Sequence, residues 1–141
     1  MSTRLANAVW EGTLKDGNGI MRLGSGAYEG SYTFASRFEE AEGSNPEELI
    51  GAALAGCFSM ALSGDLTRAG FTPTRIQTEA RVHLEKVEGK STITRIDLTS
   101  RAVVPGIGVE AFKEIAQGAK TGCPVSRALA VKEINLDASL E

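Results

Sequence analysis

The sequence predicts an α+β protein. Three observations carry that class: one long, almost wholly apolar segment with helix-start and helix-stop signals, two long segments in which apolar and polar residues alternate, and a further stretch with apolar residues at helical spacing. At 141 residues the chain is large enough to bury a proper core and fits a single domain, 1–141, without repeats, low-complexity tracts or linkers.

In chain order, Ala6, Ala8, Trp10, Gly12 and Leu14 alternate with mostly polar residues, and KDGNGI supplies turn chemistry before Ile20 to Leu23; together they read as an N-terminal hairpin. Gly24 to Gly30 is punctuated by glycine. SYTFASRF then reads as a further strand ending near Arg37, and FEEAEGSN is a polar, acidic connection. The first helix opens at SNPEELIGAALAGCFSMALSG. Asn45 is a good N-cap, Pro46 suits the first helical position, and Glu47 and Glu48 complement the positive end of the dipole. The pattern runs to about Gly70, which stops it before FTP. Next, Ile76, Thr78, Ala80, Val82 and Leu84 share one face of a strand, with Gln77, Glu79, Arg81, His83 and Glu85 on the other. EGK turns the chain, and Ile96, Leu98, Ser100, Ala102 and Val104 repeat the alternation, so a long antiparallel hairpin follows. A second helix, about Val109 to Thr121, carries Phe112, Ile115, Ala116 and Ala119 at helical spacing and breaks at Gly122. After CPVSRAL, Ile134, Leu136, Ala138 and Leu140 mark a last strand.

Composition narrows the function. A net charge of −3 from 15 basic and 18 acidic residues advertises neither nucleic acid nor an anionic membrane. The N-terminus lacks a long apolar run, and Leu49 to Leu62 is too short and too interrupted to span a bilayer, so a cytoplasmic protein is expected. In that compartment thiols stay reduced, so Cys57 and Cys123 are spare or redox-active rather than a permanent staple. The single histidine, His83, lies on the polar face of a strand, which leaves histidine triads and metal clusters little to draw on; no metal and no cofactor are expected. No phosphate-binding glycine loop and no serine elbow occur.

Two thiols remain. Cys57 lies well inside the first helix among small residues and, from composition alone, reads first as a small buried hydrophobe. Cys123 follows a helix-ending glycine and precedes Pro124, which places it at or next to the N-cap of PVSRAL, where a thiolate is favoured. Cys57, mid-helix, needs a cation from elsewhere. Glu48 at N3 has a capping-box occupation, whereas Glu47 points about 80° from the Cys57 direction and is the better candidate for that side. About 15 Å of helix rise separates Glu47 from Cys57, so a direct partnership needs a bend or a second subunit. Arg37 reads plainly as a loop-end arginine paired with Glu39 or Glu40. Leu54, Phe58 and Met60 beside Cys57 offer an apolar wall or simply core.

N-P-E-E-L at 45–49, A-x-C-F-S-M-A-L around Cys57 and G-C-P-V-S at 122–126 resemble the signatures of the OsmC/Ohr family of osmotically inducible and organic hydroperoxide resistance proteins, and A-x-W-E-G at 8–12 resembles the OsmC branch. The resemblance covers nearly the whole chain. It implies an antiparallel sheet wrapped around a long central helix that carries the first cysteine, in an intertwined homodimer with both sites at the interface. It also implies a thiol peroxidase that reduces organic hydroperoxides and is recycled by a dithiol such as a dihydrolipoyl group. By position, it makes Cys57 the peroxidatic thiol, Cys123 the resolving thiol, Arg37 the cation beside Cys57, and Glu47 the carboxylate that orients Arg37. A non-catalytic redox sensor and a dimeric small-molecule binding module use the same residues differently, and peroxide turnover separates them.

Overall fold

The computed structural model describes residues 1–129 and 133–141. The chain divides into two compact units, Met1–Leu49 and Ile50–Glu141.

The first unit holds β1 (Ala6–Glu11), β2 (Asn18–Leu23) and β3 (Glu29–Tyr32), an antiparallel meander in which Ala8 faces Met21 and Ile20 faces Ser31. Trp10 and Tyr32 lean on one another with ring centroids 5.3 Å apart. The expected strand through SYTFASRF is corrected here: it ends at Tyr32, and α1 (Phe34–Phe38) follows. The cause is a local capping box. Thr33 Oγ1 accepts the Ser36 amide at 3.1 Å while Ser36 Oγ accepts the Thr33 amide at 2.9 Å, which satisfies two donors that a helix start leaves free. The first turn of the long helix α2 (Pro46–Arg68) closes this unit, with Asn45 Oδ1 accepting the Glu48 amide at 2.8 Å as an N-cap should.

The second unit contains the rest of α2, then β4 (Arg75–Val87), β5 (Lys90–Val103), α3 (Val109–Gly122), α4 (Pro124–Ala128) and β6 (Glu133–Leu140). Leu54, Phe58, Leu62 and Leu66 recur every four residues along α2 and are fully inaccessible. They share one core with Ile96, Leu98 and Ala102 of β5 and Phe112, Ala116 and Ala119 of α3. Each large side chain so buried contributes about 1.5–3 kcal/mol. Gly51 allows close approach of helix and sheet: a Cβ there would sit 3.2 Å from Val82 Cγ2. At the other end the Gly70 amide bonds Thr67 O and the Phe71 amide bonds Leu66 O, with Gly70 at φ +94°, the double bond pattern of a left-handed helix stop.

The β4–β5 hairpin turns through Glu88 (φ 50°) and Gly89 (φ 78°), the mirror-image turn whose twist suits a two-residue connection. Its register shifts once, so that His83 faces Arg95 and Leu84 faces Ile93, leaving Thr94 as the extra residue of a bulge. β6 pairs with β5 in parallel, Ile96 opposite Ile134. The α+β class holds. Among the described residues, however, the strands form two three-stranded sheets, the second of them mixed rather than purely antiparallel.

By length and composition alone α2 is apolar enough to cross a bilayer, with a mean hydropathy of 1.5 in its best window, a test that a core helix also passes. Its Leu54, Phe58, Leu62 and Leu66 side chains are buried in the core shared with β5 and α3, whereas Met60 is exposed.

Candidate active site

Arg37 lies in the last turn of α1, where a cation complements the carbonyl end of the helix. The hydroxyl of Ser36 donates to Ser44 O at 2.8 Å, and Asn45 Nδ2 donates to Ser36 O at 3.2 Å, so the start of α2 is tied to α1. That tie brings Arg37 to Glu47. Arg37 Nε donates to both carboxylate oxygens, at 3.1 and 3.3 Å, and Nη2 donates to Oε1 at 2.8 Å. Glu47 is 8% exposed, a burial that a carboxylate tolerates when it is paired in this way. Among the described residues the ion pair of Arg37 is with Glu47, so the plain reading that paired it with Glu39 or Glu40 is corrected. The Phe38 ring lies under the guanidinium, 5.1 Å from its carbon to the ring centroid. Beside this pair is a cleft of about 420 Å³ lined by Trp10, Leu14, Tyr32, Phe34, Arg37 and Phe38.

In the second unit both cysteines are free, and their sulfurs meet the backbone amides at the start of α4. The helix break at Gly122 makes this possible. Cys123 caps the C-terminal end of α3 through its amide, which donates to Ala119 O at 3.1 Å, and caps the start of α4 through its side chain. Its Sγ accepts the Ser126 amide at 3.3 Å and lies 3.4 Å from Ser126 Oγ. The next amide of the same turn, Val125 N–H, donates to Cys57 Sγ at 3.5 Å. One short helix start therefore holds both sulfurs.

The two thiols differ in acidity. Burial pushes the Cys57 thiol up, the Cys123 thiol adds to this, and the Val125 amide offsets only part. Burial also acts against the Cys123 thiolate, but hydrogen bonds from Cys57, from the Ser126 hydroxyl and from the Ser126 and Val125 amides outweigh it and hold Cys123 below the ordinary thiol range. The N-cap position expected to favour a Cys123 thiolate does so.

Of the apolar wall expected beside Cys57, Leu54 and Phe58 are wholly inside the core and Met60 is 79% exposed. That reading is corrected: at helical spacing the first two face the sheet and the third faces away. Two residues of the thiol environment, Val125 and Ser126, escaped the sequence reading. The signal available was the spacing of Cys123 and Ser126, N-cap and N3 of a capped turn. His83 meets Asp97 Oδ2 at 2.7 Å, with Arg95 and Asn135 around the same carboxylate, a half-exposed polar cluster on the strand face.

Fold and site together define an α+β dithiol protein. The chain belongs to the OsmC-like protein family, whose model matches residues 39–139. It is 53% identical over 135 residues to the peroxiredoxin OsmC of Escherichia coli K12, covering 95% of this chain and 94% of that one. In fold it is similar to an organic hydroperoxide resistance protein OsmC from Legionella pneumophila, with a TM-score of 0.73 at 19% identity, covering 100% of this chain and 98% of that one. It is similar also to the organic hydroperoxide resistance protein OhrB of Bacillus subtilis, with a TM-score of 0.69 at 22% identity, covering 97% and 98%.

Proposed function

We propose that this protein reduces organic hydroperoxides to alcohols, with Cys57 as the peroxidatic thiol and Cys123 as the resolving thiol. Its peroxidase character follows from family membership and from 53% identity, over nearly the whole of both chains, to a relative named as a peroxiredoxin. The observation that carries the assignment of residues is the pair of free thiols whose sulfurs are held by consecutive amides of one turn.

The Cys57 thiolate attacks a peroxide oxygen. A sulfur–oxygen bond forms, the oxygen–oxygen bond breaks, and the alkoxide leaves and takes a proton to become the alcohol. Cys123 then attacks the sulfenic sulfur, the disulfide forms, and hydroxide leaves to be protonated to water. A dithiol of the dihydrolipoyl type reduces that disulfide by two exchange steps and is itself oxidised. Arg37, oriented by Glu47, supplies the positive charge that ionises Cys57 and stabilises the departing oxygen; a planar guanidinium suits both tasks. The elevated thiol of Cys57 in a single chain is a reason to bring that charge from a second copy. A homodimer is supported by the exposed apolar side chains of Val9, Leu14, Ile20 and Met60. The aromatic cleft beside Arg37 offers an organic group an apolar surface. The chain works as one functional domain, a reading supported by a match over 95% of its length to a single relative.

The test mixes reduced protein with cumene hydroperoxide and dihydrolipoamide. Cys57→Ser is expected to abolish turnover, and Cys123→Ser to leave a trappable sulfenic acid with poor turnover. Unchanged peroxide consumption in both variants refutes the assignment in favour of a binding module; stoichiometric oxidation of wild type without recycling favours a sensor.

A further inference from the structure

Ser126 ends the G-C-P-V-S motif and has no part in the scheme above, yet it makes two contacts with one sulfur. Its amide donates to Cys123 Sγ at 3.3 Å, and its hydroxyl oxygen is 3.4 Å from the same atom. The two contacts differ in kind. The amide can only donate, whereas a serine hydroxyl both donates and accepts and turns about its Cβ–Oγ bond. While Cys123 is a thiol, its S–H donates to Ser126 Oγ. Once Cys123 loses that proton, the hydroxyl turns and donates to the anion. Cys123 is fully inaccessible, so bulk water does not substitute for this donor. The other groups acting on the sulfur are the Cys57 thiol and the Val125 amide, and the latter also bonds Cys57 Sγ.

We propose that Ser126 is a positioning residue for disulfide closure: it keeps Cys123 Sγ aimed at Cys57 and holds the Cys123 thiolate while that thiolate attacks the Cys57 sulfenic acid. This rests on Cys57 and Cys123 being the peroxidatic and resolving thiols. In the step, the Cys123–Cys57 sulfur–sulfur bond forms, the sulfenic sulfur–oxygen bond breaks, and hydroxide departs with the electron pair and becomes water. Cys57 passes from sulfenic acid to disulfide, while Cys123 is oxidised from thiolate. The competing fate is a second attack on hydroperoxide, in which the sulfenic sulfur gains another oxygen to become sulfinic acid and a second alcohol is released. Ser126 therefore acts on the choice between closure and overoxidation.

The experiment treats the full-length reduced protein with excess cumene hydroperoxide, quenches with an alkylating reagent, and measures by mass spectrometry the ratio of Cys57 sulfinic acid to Cys57–Cys123 disulfide at equal loss of the Cys57 thiol. Ser126→Val and Ser126→Thr have the same shape and differ in a methyl against a hydroxyl. The Val chain is expected to raise the ratio about tenfold, the worth of one hydrogen bond to a charged group, and the Thr chain to restore it. Ser126→Ala carries the same comparison should the Val chain not fold. A ratio equal to wild type in the Val or Ala chain, with Cys57→Ser still abolishing oxidation, overturns the role of Ser126 alone. A Thr chain that overoxidises as much as the Val chain does so too. A Cys57→Ser chain that still consumes hydroperoxide overturns the assignment of Cys57 beneath it.

Discussion

Glu47→Gln separates the charge of the Arg37–Glu47 pair from its shape. Glu47 now accepts three contacts from Arg37, two from Nε and one from Nη2. Glutamine keeps one acceptor oxygen for Nη2 but turns the other into an NH₂ group that faces Nε and cannot accept from it. A hydrogen bond between charged groups is worth about 1.5–3 kcal/mol. Arg37 keeps 37% of its side-chain surface in water, so solvent recovers part of that loss. The net fall in stability is about 1 kcal/mol after that screening, or roughly 3 °C in Tm for a chain of this size. Under the proposed mechanism activity is more sensitive, because a guanidinium that has lost its orienting partner would no longer meet the departing oxygen at a fixed angle. A fall of about tenfold to a hundredfold in kcat/KM is expected, short of the loss of a whole transition-state donor. Initial rates with cumene hydroperoxide and dihydrolipoamide, alongside urea unfolding, read both quantities. Arg37→Lys, which keeps the charge without the planar fork, should be similarly impaired. A Glu47→Gln enzyme within twofold of wild type in kcat/KM, with the expected loss of stability, would reduce the pair to a surface staple and refute the reasoning.

Three other outcomes follow from the same geometry. Burial and Cys123 push the Cys57 thiol up; under the role proposed for Arg37, the alkylation rate of Cys57 in Arg37→Ala should inflect at a higher pH than in wild type, and coincident profiles would remove Arg37 from the thiol. Hydrogen bonds from Asn135 and His83 hold the Asp97 carboxyl below its ordinary value, so its contribution to stability is complete above the unfolded carboxylate pKa and is lost as pH falls through the folded one. Asp97→Asn should therefore flatten the acid limb of the stability profile below about pH 4, and a limb of unchanged slope would count against that account. Gly70→Ala forces a side chain into the left-handed conformation of the helix stop and should cost about 1 kcal/mol in urea unfolding; no loss would mean that the end of α2 rearranges freely.

What the sequence made legible was local chemistry. Asn45 before Pro46, Gly70 before Phe71, Glu88–Gly89 between two alternating runs, and Cys123 before Pro124 each fix a boundary through groups a few residues apart. The failures lie where a decision is longer in range or shorter in extent. The period-two look of SYTFASRF conceals α1, because five residues carry too little periodicity to outvote alternation, and its capping box uses serine rather than the usual glutamate at N3. The parallel pairing of β6 with β5 is set by where the connection lands, which no local pattern encodes. Arg37 had two nearer carboxylates to choose from, and the choice of Glu47 depends on Ser36, Ser44 and Asn45 folding the chain back. The apolar residues around Cys57 could be sorted into core and surface only once the sheet beneath α2 was in place.

Cys123 belongs to two helices at once, closing α3 with its amide and opening α4 with its sulfur. A sulfur drawn into a covalent bond is a poorer acceptor for the Ser126 amide than the thiolate it replaces, so electron loss at this atom also loosens the five-residue segment that it caps. Under the proposed disulfide cycle, oxidation state would be written into backbone order at the start of α4, the turn that a reductant would have to reach.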